Sequence, residues 1–178
     1  MVVGIVLAAG GSRRMGRPKA LLDWRGAPLV AGHVAALAAV CDRVRVVLGG
    51  HAPRVEEALP AGVEVVMNPR WAETGMSDSL ALALEDLPEG AWALVTPVDL
   101  PPAPRALLEA LLEAGAPAVP TAMGRDGHPV LIEAGAVRRR LKEAPLDGAL
   151  LTARRVPVDW EHTLTNANTP EEWEKVRE

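Results

Sequence analysis

The sequence predicts an α/β protein built on a mainly parallel sheet. Two observations carry this. Short apolar runs of strand character alternate along the chain with Ala- and Leu-rich stretches whose apolar residues recur at three and four. The connections between them are short, as successive βαβ units require. At 178 residues the chain is long enough for a sizeable core, and one domain over residues 1–178 is expected. Aromatic residues are 3% of the chain and all of them are tryptophan, so that core must be made mostly of Ala, Val and Leu.

The elements follow in order. Residues 2–8 form an apolar run, read as a buried strand that breaks at Gly10-Gly11. Arg25-Gly26 marks a turn, and 29–40 reads as a helix. A second strand over 44–48 ends at Gly49-Gly50, a short helix over 52–59 follows, and 63–67 is a third strand. A helix runs to Leu87, with Ser77 as a plausible N-cap. A strand over 91–96 ends in Pro97-Val98-Asp99-Leu100-Pro101. After it come a helix over 104–115, short strands over 118–121 and 130–132, and a helix over 134–143. The run Arg138-Arg139-Arg140 reads as a solvated face, because successive helix positions point in different directions. Residues 145–151 read as a loop and short helix, and 156–158 as an edge strand. Thr169 as N-cap, Pro170 at the first helical position and Glu172 at the third form a capping box that starts the last helix. In a parallel sheet, ligands bind beyond the carboxyl ends of the strands. That edge should therefore hold the first glycine loop, Gly49-Gly50, Asn68 and Asp99.

The bulk composition excludes several classes. A formal net charge of −4 argues against a general nucleic-acid binder. The one cysteine, Cys41, lies in an apolar helical stretch and cannot form an intrachain disulfide. It reads as a buried structural thiol in a reducing compartment. There is neither a signal-like start nor an apolar run long enough to span a membrane, so a cytoplasmic location without a membrane partner is expected.

The first glycine loop carries the chemistry. A strand ending in Gly10-Gly11, followed by Arg13, Arg14, Arg17 and Lys19, offers backbone N–H groups and positive charge in one small volume. That combination suits a phosphate chain. Gly11 and Gly16 have P-loop spacing, but Arg17-Pro18 stands where Lys-Ser/Thr is required, and proline spoils the helix start. The dinucleotide fingerprint G-x-G-x-x-G is also absent. Asp99, just past an apolar strand and held between prolines, is a rigid carboxylate suited to a hard cation, or else a cap for the next helix.

LAAGGSRRMGRPK, residues 7–19, resembles the signature LAAGxSxRMGxxK of the MobA-like nucleotidyltransferases. The resemblance implies a single-domain, Rossmann-like, three-layer α/β/α sandwich, the nucleotide-diphospho-sugar transferase fold. It implies nucleotide contacts from Leu7, Ala8, Ala9, Gly10, Gly11, Ser12, Arg14, Met15, Gly16 and Lys19. Residues 68–80, NPRWAETGMSDSL, are similar to a segment of the cytidylyltransferase branch that faces the nucleotide, which adds Asn68, Gly75 and Ser77. Asp99 falls on the family's D-x-P motif, whose Asp holds Mg²⁺. The segment Gly-His-Pro-Val recurs in the cytidylyltransferase-like branch, and His128 is either an acceptor contact or a loop-holding residue. Near the end the family has D-x-D-T-P-E or N-x-N-T-P-E, and its first position supplies a second metal contact. This chain has Asn166 there, with Asn168 as the alternative; an amide ligand without charge makes metal binding lean harder on Asp99 and the phosphates.

The implied reaction is Mg²⁺-dependent transfer of a nucleotidyl group from an NTP to molybdopterin, with Arg14, Lys19 and Asp99 as catalytic residues. Arg13 and Arg17 occupy free positions of the signature and should point elsewhere. LAAG, GMSDSL and GHPV favour CTP; the double glycine and NANTPEEW favour GTP. A client molybdoenzyme is implied as a further partner. A sugar-phosphate nucleotidyltransferase, a non-catalytic nucleotide-binding accessory protein of molybdoenzyme maturation, and a plain interaction domain are the other readings.

Overall fold

The computed structural model describes residues 1–142, 150–164 and 167–177. The central strand is β1 (Val2–Ala8), hydrogen-bonded in parallel to β4 (Arg43–Leu48) on one side and β6 (Trp92–Pro97) on the other. Between β1 and β4 lie a two-stranded hairpin, β2 (Asp23–Trp24) and β3 (Ala27–Pro28), and helix α1 (Leu29–Ala38). Arg25 and Gly26 turn that hairpin with φ of 52° and 84°, the positive pair a two-residue turn needs. Helix α2 (Ala52–Glu56) leads to β5 (Glu64–Met67), parallel to β4 at the sheet edge.

The other half adds α3 (Met76–Leu84) before β6, then α4 (Arg105–Ala114), β7 (Ala118–Ala122), β8 (Arg125–Asp126) and β9 (Val130–Glu133). Helix α5 (Ala134–Arg140), strand β10 (Arg154–Pro157) and helix α6 (Pro170–Arg177) follow. The sheet order is β5-β4-β1-β6-β9-β7-β10, with β8 paired to β7. Strand β9 runs antiparallel to both β6 and β7, whereas β10 is parallel to β7 and forms the expected edge.

Alternation along β1 separates two cores. Val3, Ile5 and Leu7 pack with Leu80 and Leu84 of α3 and Val137 of α5. Val6 and Ala8 face Val30, Val34 and Leu37 of α1, Val55 of α2 and Leu108 of α4. The result is the three-layer α/β/α sandwich. Gly4 lets α1 approach, since a Cβ there would sit 2.8 Å from that of Leu37. A third cluster joins Met15, Leu22 and Leu29 to Ala167, Trp173 and Val176, so α6 is riveted to the glycine loop rather than to the sheet.

Two expectations are corrected. Helix α3 is capped by Gly75, not Ser77: the Asp78 carboxylate accepts from the Gly75 N–H at 2.9 Å, and the chain is already helical at Met76. The arginine run is not simply solvated. The Arg138 guanidinium donates to the carbonyls of Leu84 (3.0 Å) and Leu87 (2.7 Å), closing the open end of α3, and pairs with Glu89. Arg139 also pairs with Glu89. The expected segment 145–151 lies mostly outside the described residues. Among the described residues no helix is long and apolar enough to cross a membrane.

Candidate active site

The loops after β1, β4, β5 and β6 meet at the carboxyl edge of the sheet around a cleft of about 320 Å³. The β1 loop is held at several points. Ser12, at φ 48°, accepts the Met15 N–H on its carbonyl (3.1 Å) and the Lys19 N–H on its hydroxyl (3.0 Å). Met15 itself is buried in the third cluster, so its side chain anchors the loop from below. Leu7, Ala8, Ala9, Gly10, Ser12, Arg14 and Lys19 line the cleft, and Arg13 joins them, contrary to expectation. Gly11 and Gly16 do not line it; Gly16 supplies the left-handed turn, with φ 71°.

Three glycines accommodate one indole. A Cβ on Gly11 would lie 2.8 Å from the Trp71 ring, one on Gly49 2.5 Å from its Cβ, and one on Gly50 3.1 Å from its ring. Trp71 thereby wedges the loop after β5 against those after β1 and β4, and forms part of the cleft wall. Main-chain contact reinforces this: Gly50 N–H donates to the Ala9 carbonyl at 3.0 Å, and His51 Nε2 donates to that of Gly11 at 3.1 Å.

Asn68 is buried and shapes the next loop. Its amide donates to Thr74 Oγ1 and Ser79 Oγ, each at 3.0 Å, and its oxygen accepts from the Arg70 N–H at 3.0 Å. The loop so formed presents Gly75 and Ser79 to the cleft. Asp99 follows β6 in the segment Val98–Asp99–Leu100. Buried His33 of α1 donates from Nε2 to the Leu100 carbonyl (2.9 Å), and burial lowers the His33 pKa to about 4, keeping the ring neutral. Helix α4 begins at Arg105 after Pro104, so Asp99 does not cap it.

The charged centre is compact. Lys19 Nζ donates to Asp99 Oδ2 at 3.1 Å and to Asn168 Oδ1 at 2.8 Å, and Arg14 Nη2 donates to the same Asn168 oxygen at 3.1 Å. Asp99 is the only carboxylate lining the cleft among the described residues, and its Oδ1 is buried with no hydrogen-bond donor among them. A dry carboxylate oxygen without a donor is costly, and a hard cation relieves it. Asn166 lies outside the described residues. Sequence reasoning did not single out Trp71, Ser79 or His33; the glycine pairs flanking Trp71 in space are far from it in the chain.

A second cavity, of about 400 Å³, adjoins the first across Met76, which lines both. Leu80, Val119 and Val130 give it apolar walls, and Ser77 and His128 lie here rather than in the first cleft. The His128 main chain is fixed by Thr163, whose carbonyl accepts its N–H at 3.0 Å. Arg155 at the rim is bound two-fold by Asp126, at 3.1 and 3.0 Å.

Comparison with known families decides what this arrangement is. Residues 4–160 match the model of the MobA-like NTP transferase domain. The chain belongs to that family. As a MobA-like protein it is a nucleotidyltransferase. It is 35% identical to the molybdenum cofactor guanylyltransferase of Rhodobacter capsulatus, over 96% of this chain and 92% of that one. It is 30% identical to a protein of the same name from Xanthomonas euvesicatoria, over 97% and 93%. Among solved structures, a nucleotidyl transferase from Methanothermobacter superposes with a TM-score of 0.84 at 27% identity, covering 99% of this chain and 96% of that one.

Proposed function

We propose that this MobA-like protein transfers a nucleotidyl group from an NTP to a molybdopterin-type acceptor, with release of pyrophosphate. The observation that carries the reading is the charged centre: Arg14, Lys19 and Asp99 face one cleft, beside a second cavity with apolar walls. The names of the two curated relatives support molybdenum cofactor as the acceptor's class.

The triphosphate lies in the first cleft, against Ala8, Ala9 and Gly10 and under Arg14 and Lys19. The acceptor occupies the second, with its ring system on Leu80, Val119 and Val130 and with His128 as a contact. Its phosphate oxygen attacks the α-phosphorus in line and pyrophosphate leaves. The nucleophile is already an anion, so no side chain need take a proton. The difficulty is gathering negative charge, which positioned cations relieve. Lys19 exchanges Asp99 for phosphate as the nucleotide binds. Asp99, whose Oδ1 is buried without a donor among the described residues, would hold Mg²⁺, which when bound would supply charge neutralisation at the phosphates.

For the base, GMSDSL and the Gly-His-Pro-Val segment support CTP, and we take CTP as the donor. GTP is the second reading, favoured by the relatives' names. A cytoplasmic enzyme of one domain, serving a client molybdoenzyme, completes the proposal. The test is pyrophosphate release with Mg²⁺, molybdopterin and each of CTP, GTP, ATP and UTP. Release with CTP alone is expected, release with GTP alone moves the base assignment, and release with none overturns the transfer to molybdopterin.

A further inference from the structure

We propose that Asn168 is a positioning residue for the two phosphate-binding cations: it gathers Arg14 and Lys19 on one neutral oxygen and so aims both into the cleft with their charge intact. This rests on the reading of that cleft as a triphosphate site.

Both donors reach Asn168 Oδ1, Lys19 Nζ at 2.8 Å and Arg14 Nη2 at 3.1 Å. Two cations meeting at one point repel, and something must hold them. A carboxylate, as in the family's D-x-D-T-P-E form, would also hold them but would offset part of their charge, and this chain has the neutral amide instead. An amide oxygen accepts from both and leaves the charge in place. The orientation of the amide follows, because its NH₂ end cannot face two donors.

The oxygen's position is fixed from three sides. The Glu172 carboxylate accepts the N–H groups of Asn168 (2.6 Å) and Thr169 (3.1 Å), and Glu172 N–H donates to Thr169 Oγ1 at 3.3 Å, so the capping box of α6 orients the residue. Those two N–H bonds hold the Glu172 carboxyl below its usual range. One residue earlier, Ala167 N–H donates to the Asp99 carbonyl at 2.9 Å. Behind it, fully buried Trp173 packs with Met15 of the glycine loop. The segment carrying Asn168 is therefore built onto both loops that supply charge to the cleft.

The test compares Asn168→Asp and Asn168→Ala with the unaltered protein. CTP and GTP binding is measured calorimetrically with Mg²⁺ and without acceptor. Mn²⁺ binding without nucleotide is read by electron paramagnetic resonance, and Tm gives the fold. The expected result is nucleotide affinity at least ~10-fold weaker in both variants, the size of a charge-assisted hydrogen bond, with Mn²⁺ binding no tighter in Asn168→Asp. Tighter Mn²⁺ and nucleotide binding in Asn168→Asp would make Asn168 a metal ligand and overturn the proposal. A lowered Tm with unchanged nucleotide affinity would also overturn it, leaving a purely structural residue. Arg14→Ala and Lys19→Ala separate the two levels of inference: unchanged nucleotide binding in both removes the triphosphate site itself, whatever Asn168 does.

Discussion

The two cavities that meet at Met76 are built on opposite terms. The first is lined by three cations and a single carboxylate among apolar and glycine residues, and its loops are held by an indole set among glycines. The second is lined by Leu80, Val119 and Val130 together with Ser77 and His128, and the arginine at its rim is already matched by Asp126, so it presents no excess of cations. On the proposed reading, charge is concentrated where phosphates would be handled, while the neighbouring space would select the acceptor by shape and by a few polar contacts such as His128. The contrast means that damage to one side should alter nucleotide handling and damage to the other should alter acceptor handling, with little crossover.

The hardest test of that division lies in the charged centre. Lys19→Ala and Arg14→Ala should each lower turnover at least ~100-fold, the scale expected for groups that stabilise transition-state charge. Asp99→Asn should abolish metal-dependent transfer and leave Tm nearly unchanged. Near-normal turnover in these variants would erase the contrast. The acidic loop behind the cleft offers a second test through His33. The folded pKa, about 4, is below the ordinary value of 6.5, so the unfolded chain takes up the proton more readily. Its contribution is fully present above pH 6.5 and is lost as pH falls from 6.5 towards 4. The loss is about 3 kcal/mol at most. Denaturant unfolding across that window should show the slope, and His33→Gln should flatten it.

Smaller effects sharpen the comparison further. Gly11→Ala places a methyl group against the Trp71 ring and should cost about 1–3 kcal/mol of stability by overpacking, with nucleotide affinity falling as the wall shifts. His128→Ala should raise the acceptor KM about 10-fold, the size of one lost polar contact, and leave the NTP KM alone; a rise in the NTP KM instead would place His128 on the wrong side. Arg155→Ala, which removes one exposed pair, should change stability by less than about 1 kcal/mol in thermal unfolding.

How legible each part was in the sequence follows from how local its causes are. The β1 loop was legible because glycine, cation and apolar residues lie within one stretch. The capping box at Thr169 was legible for the same reason, and the hydrogen bonds at Glu172 match it. Ser77 misled because Asp78 competes for the same end of α3 and its carboxylate reaches the Gly75 N–H. Arg138 misled because its partners, the carbonyls of Leu84 at the end of α3 and of Leu87 just beyond it, lie some fifty residues earlier. The fold class was legible from alternation alone. The hairpin from Asp23 to Pro28 was legible only as a turn, since its two-residue strands are too short to show a period. Of the second cavity only His128 was signalled, through Gly-His-Pro-Val; its apolar walls come from α3, β7 and β9 and acquire a common surface only after the sheet is assembled.

The indole of Trp71 has an evolutionary corollary. Three positions in two separate segments, Gly11, Gly49 and Gly50, are restricted by one side chain in a third. They are not equally bound to it: a smaller residue at 71 would release Gly11, whereas Gly49 would still face the Ala9 carbonyl at 2.7 Å and Gly50 the Gly11 Cα at 3.1 Å. A combinatorial library that varies positions 11 and 71 together should therefore recover compensated pairs that single substitutions cannot reach, while glycine persists at 49.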